Sequence, residues 1–442
     1  MSDVMRYMDM EVEAAGAERA RTEDGRRVLR FTVRVLDSPA GEMRPEEVVP
    51  SELDEREALA AVQRLEERAL ERAGLVALGR RLGEALLPGA VREMLAASLV
   101  RAAADGHGLR LRLRLPAQLA ALPWEVIHVE RSGGGESEGF LALDPRLALV
   151  RHDPLAAVDP PAPAPGPVRV VVALASPEDL PPVDLARNRR AIEGALGGAA
   201  GIEAVYLKDA SLEDVRAAVA GAEVFHFTGH GALVERQTPD GTISRVGTVA
   251  LDDQRVDAEL LGANLRGAGV RLAVLGGCET GRRDGTSIWS GVAPALIRAE
   301  VPAVVAHQLT VSEEGARVFN AALYGALVGG APLEQAVAAG RLAIFNLEPQ
   351  GAEWAVPVLS MRAADGQLFA GAAEPEVREQ ARKVVNAAFN LRVAELKDSQ
   401  VVGVTIGAVR DAGGAGIINA TSDVDAGTVS GGSITGVSIG EV

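Results

Sequence analysis

Apolar segments of strand length alternate with helical patterns in the second half of the chain, and this alternation constrains the fold more than any other feature. The strand candidates after VRVVVALAS are IEAVYLKDA and residues 223–228, 270–275 and 303–307. Helical patterns occupy residues 184–196, 212–220, 292–298, 313–328 and 333–345. Near-continuous apolar strands separated by helices are typical of a parallel sheet that is covered on both faces. The sequence therefore predicts an α/β fold with a mostly parallel central sheet.

The first part of the chain predicts a mixed α+β segment. The strand pattern RVLRFTVRVLD precedes helical patterns at residues 52–81 and 91–103. Leucine and arginine then alternate strictly over residues 109–115, a period of two that is typical of a strand with one buried face. We expect the arginine side of this strand to be solvated, the alternative being a face that holds an anion.

Composition shifts divide the chain into five predicted parts. The proline-rich stretch DPPAPAPGP at residues 159–167 is typical of a semi-rigid linker. Residues 1–158 form the N-terminal α+β segment, whose later part we assign to the same folded region as the main domain. Residues 168–372 form the α/β domain, and residues 373–400 a helical connector. The final part, residues 401–442, is a β-rich tail.

The tail contains an approximate internal repeat, in which VVGVTIG near its start recurs as ITGVSIG near its end. Glycine and β-branched residues disfavour helix and favour short strands. We expect a β-type glycine repeat that pairs with a partner or with copies of itself, the alternative being a disordered tail.

Charge and cysteine content exclude several classes of function. The net charge of −16 repels phosphate groups, so neither a nucleic-acid partner nor an acidic membrane surface is expected. One cysteine in 442 residues excludes an internal disulfide and a multi-thiolate metal site. The N-terminal MSDVMRYMDMEVEA lacks the basic region of a signal peptide, and no run of about 18 apolar residues occurs. These features predict a cytoplasmic protein.

Two predicted strands end in glycine-rich polar segments that contain a histidine and the cysteine. AEVFHFTGHG ends at His230 and Gly231, and RLAVLGGCETG contains Cys278. Reacting groups of open parallel sheets collect at the carboxyl ends of the strands. A thiol needs a base within hydrogen-bond reach to act as a nucleophile, and the glycines leave amide N–H groups free for an oxyanion. We interpret Cys278 as the nucleophile and His230 as its base.

The alternative for these two residues is a buried, inert thiol and a loop histidine. A polar strand end disfavours that interpretation, and the histidine precedes the cysteine at a spacing typical of caspases. His226 is the other candidate for the base, but it lies inside the strand, where we expect a core or supporting residue. Motifs for zinc, for P-loop nucleotide binding and for a serine nucleophile elbow are missing from the sequence, so no metal or cofactor is expected.

FHFTGHG followed by LGGCETG resembles the CHAT group of bacterial caspase-like peptidases, which are relatives of caspases and separases. PWEVIHV, VVVALASPEDLPPVDLARNRRAIE and EWAVPVLSMRAADGQLF are similar to further parts of that domain, so the resemblance extends over about Leu109 to Phe369. It implies a caspase-like α/β sandwich. It also implies that Cys278 is the nucleophile, that His230 is the base, and that the backbone amides of Gly231 and Cys278 form the oxyanion hole.

The resemblance further implies a protein substrate and a regulatory partner, as in bacterial conflict and signalling systems where a sensor releases such a domain. A catalytically silent interaction module and a hydrolase of other amides are the alternatives. Relatives that cut after arginine carry an acid two residues before the cysteine, where this chain has Gly276. We expect His307, Glu313 and Glu314 to line a substrate pocket, in which the glutamates favour a basic side chain or simply open a helix.

Overall fold

The computed structural model describes residues 5–130, 139–153, 155–157, 167–180, 182–197, 201–237, 243–277, 291–309 and 311–369, with four short strands between residues 397 and 439. Residues 4–372 form one compact unit, and residues 1–3 with 373–442 form another.

The N-terminal part of the main unit contains a strand meander followed by three helices. Its elements are β1 (Tyr7–Arg21), β2 (Arg27–Asp37), β3 (Val49–Asp54), α1 (Glu55–Glu66), α2 (Arg72–Leu86), α3 (Gly89–Ala104) and β4 (Gly108–Arg114). The predicted helix over residues 52–81 is thus two helices. Asp54 begins α1 by accepting a hydrogen bond from the amide of Glu57, and Arg68, in the left-handed backbone region, separates α1 from α2.

The remaining elements of the main unit alternate between strands and helices. They are α4 (Ala117–Ala120), β5 (Leu147–Arg151), β6 (Val168–Leu174), α5 (Leu185–Leu196), β7 (Ile202–Lys208), α6 (Leu212–Ala218), β8 (Val224–Gln237), β9 (Ile243–Ala250), β10 (Arg255–Asp257), α7 (Ala258–Gly267), β11 (Leu272–Gly277), α8 (Val292–Arg298), β12 (Ala303–His307), α9 (Glu313–Val328), α10 (Leu333–Leu347) and β13 (Pro357–Met361).

Strands β1 to β13 form one sheet. The order across it is β7-β6-β8-β11-β12-β13-β5-β4-β1-β2-β3, and the β9-β10 hairpin extends from β8. From β7 to β12 every neighbouring pair is parallel, as are β13-β5, β5-β4 and β4-β1. The predicted α/β class with a mostly parallel central sheet is therefore confirmed.

The sheet is continuous across the predicted linker. Arg151 of β5 pairs with Ser360 of β13, so strands from both sides of residues 159–167 belong to the same sheet. Residues 159–166 lie outside the described part of the chain, as does most of the predicted connector at 373–400. The domain boundaries themselves stay a prediction.

Both faces of the parallel strands are buried, which explains why these strands are almost continuously apolar. In β6, Val170 and Val172 belong to one hydrophobic cluster while Val171 and Ala173 belong to the other. Residues of α5, α9 and α10 complete the first cluster, and residues of α6, α7 and α8 complete the second. The result is a three-layer sandwich, with the sheet between two helical layers.

The expectation that the arginine side of β4 is solvated is wrong. Arg110 and Arg112 are only 2% and 8% exposed. Their guanidinium groups donate to the carbonyl of Ala364, at 2.6 and 2.9 Å, and Arg110 also lies 2.8 Å from the carboxylate of Glu334. The start of α10 and the segment after β13 cover this face, so the arginines form buried ion pairs instead of meeting solvent.

The second unit contains β14 (Lys397–Val401), β15 (Thr405–Ile406), β16 (Ser430–Ile434) and β17 (Ser438–Ile439). β14 pairs with β16 and β15 with β17, both in parallel. Val401 pairs with Ile434 and Ile406 with Ile439, which are equivalent positions in the two copies of the repeat. Most of the tail lies outside the described residues, and its predicted role stays a prediction.

Candidate functional site

His230 lies where β8 leaves the parallel sheet. The first half of β8 pairs with β6 and β11, and its second half forms an antiparallel hairpin with β9, beginning with His230 opposite Ala250. The strand thus continues beyond Thr228, where the sequence predicted its end, because β9 supplies partners for its backbone. The side chain of His230 is 7% exposed, so the hairpin and the sheet hold it in a nearly buried position.

The register of β8 and β11 relates the positions of the two predicted catalytic residues. Gly276 lies opposite Thr228, and Gly277 lies opposite Gly229, in a parallel ladder. His230 follows Gly229 in the sequence, and Cys278 follows Gly277. Neighbouring strands are about 4.8 Å apart. Cys278 itself, with its backbone amide, lies outside the described residues, so the predicted dyad and oxyanion hole stay predictions.

Gly229 is required by close packing at this point. A Cβ atom there would lie 2.6 Å from the ring of Phe227 and 2.9 Å from the carbonyl oxygen of Ala175. The next glycine, Gly231, lies opposite Val249 in the hairpin. The glycine before His230 therefore allows β8 to pass close to the end of β6.

An ion pair near His230 was missed by sequence reasoning. The carboxylate of Asp179, in the loop after β6, accepts a hydrogen bond of 2.5 Å from the guanidinium of Arg255. This hydrogen bond is the main reason that the pKa of Asp179 lies below its ordinary value, and the charge of His230 contributes in the same direction. Asp179 lies in a loop and Arg255 begins β10, 76 residues later in the sequence, and no motif marks either one.

A cavity of about 230 Å³ lies beside the strand ends. Its floor is formed by side chains and backbone of β8, β11 and β12, and its walls by α5, α9 and the segments that precede them. The lining residues are Pro182, Val183, Asp184, Arg187, Asn188, Ala191, Ile192, His226, Thr228, Gly276, His307, Val311, Ser312, Glu313, Ala316 and Asn320. One of these lining residues, Gly276, lies two residues before the predicted nucleophile Cys278 in the sequence.

The three predicted pocket residues have different positions. His307 and Glu313 line the cavity. Glu314 does not line it, because its carboxylate lies on the exposed side of α9 and binds the guanidinium of Arg317. Glu313 forms an ion pair with Arg187, so its charge is already compensated within the chain.

Two histidines in the cavity floor are neutral at physiological pH. His226 is 2% exposed, and its Nδ1 lies 2.8 Å from the hydroxyl of Tyr324. Burial, together with the charge of His307, lowers the pKa of His226 to about 3. Burial alone lowers the pKa of His307 to about 4. Desolvation disfavours the protonated form of each ring, so the floor offers hydrogen bonds without net charge.

Capping residues fix the two helices that form the walls. Asp184 begins α5 by accepting a hydrogen bond from the amide of Arg187 at 2.9 Å. Ser312 begins α9 by accepting one from the amide of Gly315 at 3.0 Å, and its own hydroxyl donates to Glu353 at 2.6 Å. Such caps stabilise a helix start by about 1 kcal/mol each, and here they set the positions of the cavity walls.

The described residues contain no group of three or more His, Cys, Asp or Glu side chains that is placed to hold a metal ion. Among the helices within these residues, none is both long and apolar enough to cross a membrane.

The fold is an α/β sandwich in which the strand segments that precede the candidate base and the candidate nucleophile in the sequence are parallel neighbours. The family model of the CHAT domain matches residues 76–362, and the chain therefore belongs to the CHAT domain family. The predicted family resemblance is confirmed by this match. A comparison with curated proteins gives no match.

Similar solved structures include two separase-securin complexes from Saccharomyces cerevisiae. Both have 13% sequence identity and TM-scores of 0.33 and 0.32, and the similarity covers 74% of this chain. The chain spans only 21% of those chains. A protein from Geobacter sulfurreducens has 16% identity and a TM-score of 0.27 over 44% of this chain and 92% of its own.

Of the residues that line the cavity, the sequence indicated His307 and Glu313 as pocket residues, and it did not assign most of the others to a pocket. Asn320 and Tyr324 belong to a helix that appears in the sequence only as an amphipathic pattern. His226 was assigned to the core, and its neighbours in the strand are indeed apolar. The period of two in a strand could have linked His226 to the cavity. It places His226 and Thr228 on the same face of β8, and both residues line the cavity.

Proposed function

We propose that this protein is a cysteine endopeptidase in which Cys278 is the nucleophile and His230 the general base. The observation that carries the proposal is the register of β8 and β11, in which Gly229 and Gly277 lie opposite each other. Each is followed directly by one of the two proposed catalytic residues. Membership of the CHAT domain family supports the same assignment.

In the proposed reaction, His230 takes the thiol proton of Cys278, and the thiolate attacks the carbonyl carbon of a peptide bond. The amides of Gly231 and Cys278 donate hydrogen bonds to the oxyanion. The C–N bond then breaks, and His230 transfers its proton to the leaving amine. Water, deprotonated by His230, attacks the thioester, and the acid product leaves as the thiol is restored.

The partners and setting are further parts of this proposal. We infer a protein substrate, cytoplasmic location, and control by a regulatory partner in a bacterial conflict or signalling system. Membership of the CHAT domain family is what supports these inferences. The pairing of equivalent repeat positions in the second unit supports a role of the tail in association with a partner or with copies of the chain.

The test is a digest of a proteome-derived peptide library by the full-length protein, by Cys278→Ala and by His230→Ala. We expect new peptide termini with the wild type and a loss of at least about a thousandfold in turnover with either variant. His107→Ala, in the turn before β4, is the histidine control and should cleave like the wild type. Cleavage that survives in Cys278→Ala would exclude the proposed nucleophile. Binding of peptides without Cys278-dependent cleavage would instead indicate a silent interaction module.

A further inference from the structure

The two repeats of the tail pair with each other residue for residue. We call β14 and β15 the first rung of this unit, and β16 and β17 the second rung. Val401 pairs with Ile434 and Ile406 pairs with Ile439, so the offset is 33 residues in both ladders (434 minus 401, and 439 minus 406). Both ladders are parallel. The described strands of one rung therefore lie beside those of the other in register.

The sequence repeat has the same period as the strand pairing. At an offset of 33 residues, VVGVTIG (401–407) aligns with ITGVSIG (434–440), and four of the seven positions are identical. Neither segment contains a charged residue or a proline, and β-branched residues predominate in both. Such segments have high β-propensity and are typical of parallel strands that stack in register. The strand pairing thus joins positions of like chemistry.

Each rung has an edge without a strand partner in the described part of the tail. The four strands form two two-stranded sheets, so each of them pairs with one other strand. The backbone N–H and C=O groups on the other side of each strand are a template for a further strand. A two-stranded sheet by itself is marginally stable in water. A third rung on either edge would therefore stabilise the unit.

A second copy of this chain supplies a rung that fits such an edge. Because both rungs contain the repeat, the second rung of one copy can pair with the first rung of the next copy in the register that joins the two rungs within a copy. The repeat segments are uncharged, so the net charge of −16 is not concentrated at this contact. A rung from another protein would need two strand segments at matching positions. The contact between copies is head to tail, and contacts of this kind form open, linear assemblies.

We propose that the tails of different copies stack in parallel and in register, with the second rung of one copy on the first rung of the next. Each added copy repeats the same contact, so the chain forms linear assemblies that hold many main units close together. The proposal rests on the association role proposed above and commits it to a second copy as the partner. It does not depend on peptidase activity, because the stacking strands lie outside the unit that contains Cys278.

Disulfides at chosen positions test the order of the rungs. In the full-length Cys278→Ala protein, Thr405→Cys and Ser438→Cys are introduced into separate chains, so each chain has a single thiol. Thr405 and Ser438 are paired positions, and a spacing of about 4.8 Å between neighbouring strands suits a disulfide. Equal positions of successive copies are two rungs, or about 9.6 Å, apart, which is beyond the reach of a disulfide. After mixing and oxidation, we expect the mixed dimer to exceed each symmetric dimer by at least about tenfold.

The matched control is a mixture of Gln400→Cys and Ser438→Cys chains in the same Cys278→Ala background. Gln400 pairs with Ser433 and not with Ser438, so this mixture should give no excess of the mixed dimer. An excess in this control as large as that for Thr405→Cys with Ser438→Cys would overturn the in-register stack, because it would mean that the tails meet without a fixed register.

Charge variants test the same register through the mass in solution, measured by light scattering. Ile406→Lys combined with Ile439→Lys places like charges at successive paired positions and should reduce the mass to that of one chain. Ile406→Lys combined with Ile439→Glu alternates the charges along the stack and should restore the larger mass of the wild type. Leu347→Lys, at a position of the main unit that is 48% exposed, is the control for added charge and should assemble like the wild type.

The stacking and the peptidase fail in different ways. A wild type with the mass of one chain at every concentration would overturn the stacking, as would symmetric dimers as abundant as the mixed dimer. A Lys/Glu variant that assembles no better than the Lys/Lys variant would overturn it too. A tail that binds a different protein while the chain stays monomeric would overturn stacking of copies and keep the association role. Cleavage that does not depend on Cys278 would overturn only the peptidase, since the disulfide test is made without that residue.

Discussion

Gly229 of β8 and Gly277 of β11 lie opposite each other, and the residue after Gly229 is the candidate base. Any side chain at Gly229 would overlap the ring of Phe227 and the carbonyl of Ala175. We predict that Gly229→Ala lowers the free energy of unfolding by about 1–3 kcal/mol, because neither the buried ring nor the backbone can move aside easily.

The matched control for this prediction is Gly276→Ala. A Cβ atom at Gly276 would meet Thr228 at 3.4 Å and the carbonyl of Phe227 at 3.6 Å, which are ordinary contacts. Its cost should be below about 1 kcal/mol. Urea unfolding followed by circular dichroism measures both values, and equal stability of the two variants would contradict the packing described at Gly229.

The thiol of Cys278 should react quickly with an alkylating agent at pH 7. An adjacent imidazole takes up the thiol proton and raises the fraction of thiolate, which is the reactive form. Since the chain has one cysteine, mass spectrometry of the intact protein follows this reaction without interference. We expect faster labelling than for a free-cysteine standard, and slower labelling in His230→Ala.

His107→Ala is the control for the alkylation rates, and it should label like the wild type. In denaturant all three proteins should react at the same rate. Labelling of the native wild type that is slow and insensitive to His230→Ala would indicate a buried, inert thiol.

The sequence predicted the parallel strands and the helices at the cavity wall well. The predicted ranges 303–307 and 313–328 agree with β12 and α9, because a continuous apolar run and an amphipathic pattern with a serine cap are strong local signals. The extension of β8 beyond Thr228 could not be predicted in the same way. It depends on pairing with β9, which is a contact between segments and not a property of either one.

Local sequence patterns also did not predict which side chains line the cavity or which of its charges are paired. Glu313 was expected to attract a basic side chain, but Arg187, from a helix more than a hundred residues earlier, binds it. Asn320 sits on an amphipathic helix, and only the meeting of α9 with β12 brings it to the same cavity as His307. Long-range partners decide the charge of a pocket, and one sequence does not specify them.

The stability of the protein should fall as the pH is lowered from about 6.5 to about 4. The pKa of His307 is lowered to about 4 by burial, and that of His226 to about 3, while in the unfolded chain both lie near 6.5. Between these values the unfolded state binds protons that the folded state does not, so acid favours unfolding. Each histidine contributes up to about 1.4 kcal/mol per pH unit in this range.

His307→Phe tests this pH dependence, since a phenyl ring of similar shape does not titrate. The variant should show a shallower decrease in the free energy of unfolding between pH 6.5 and 4 than the wild type, measured by urea unfolding at each pH. His107→Phe, in the N-terminal part, is the control. Identical slopes for wild type and His307→Phe would mean that the ring of His307 is protonated in the folded protein.

Removal of the residues after Lys397 should leave peptide cleavage intact and change association. The main unit, residues 4–372, is compact without the tail, and the proposed catalytic residues lie within that range. Repeat units gain stability from stacking on neighbours, so an isolated pair of strands favours a partner. Light scattering of the full-length and truncated proteins measures their mass in solution, and partner capture identifies what each binds. Equal mass together with equal partners would contradict the proposed role of the tail in association.

The arginine side of β4 is buried although the sequence pattern predicted a solvent-exposed one. The period of two that identifies the strand does not reveal what covers either face. In the structure the carboxylate of Glu334 is fully buried against Arg110, and burial raises the pKa of Glu334. The favourable charge of Arg110 opposes that effect on the pKa of Glu334.

Removing one partner of this pair should therefore be much more costly than removing one partner of an exposed pair. Glu334→Leu removes the buried carboxylate and leaves Arg110 with only the partly exposed carboxylate of Asp9, at 3.3 Å, which should lower the free energy of unfolding by about 3–5 kcal/mol. Glu314→Leu breaks the exposed pair with Arg317 on α9 and should cost less than about 1 kcal/mol. Chemical unfolding at pH 7 compares the two variants with the wild type. A small loss for Glu334→Leu would mean that water or the carboxylate of Asp9 compensates the charge of Arg110, and it would contradict a strict dependence of Arg110 on Glu334.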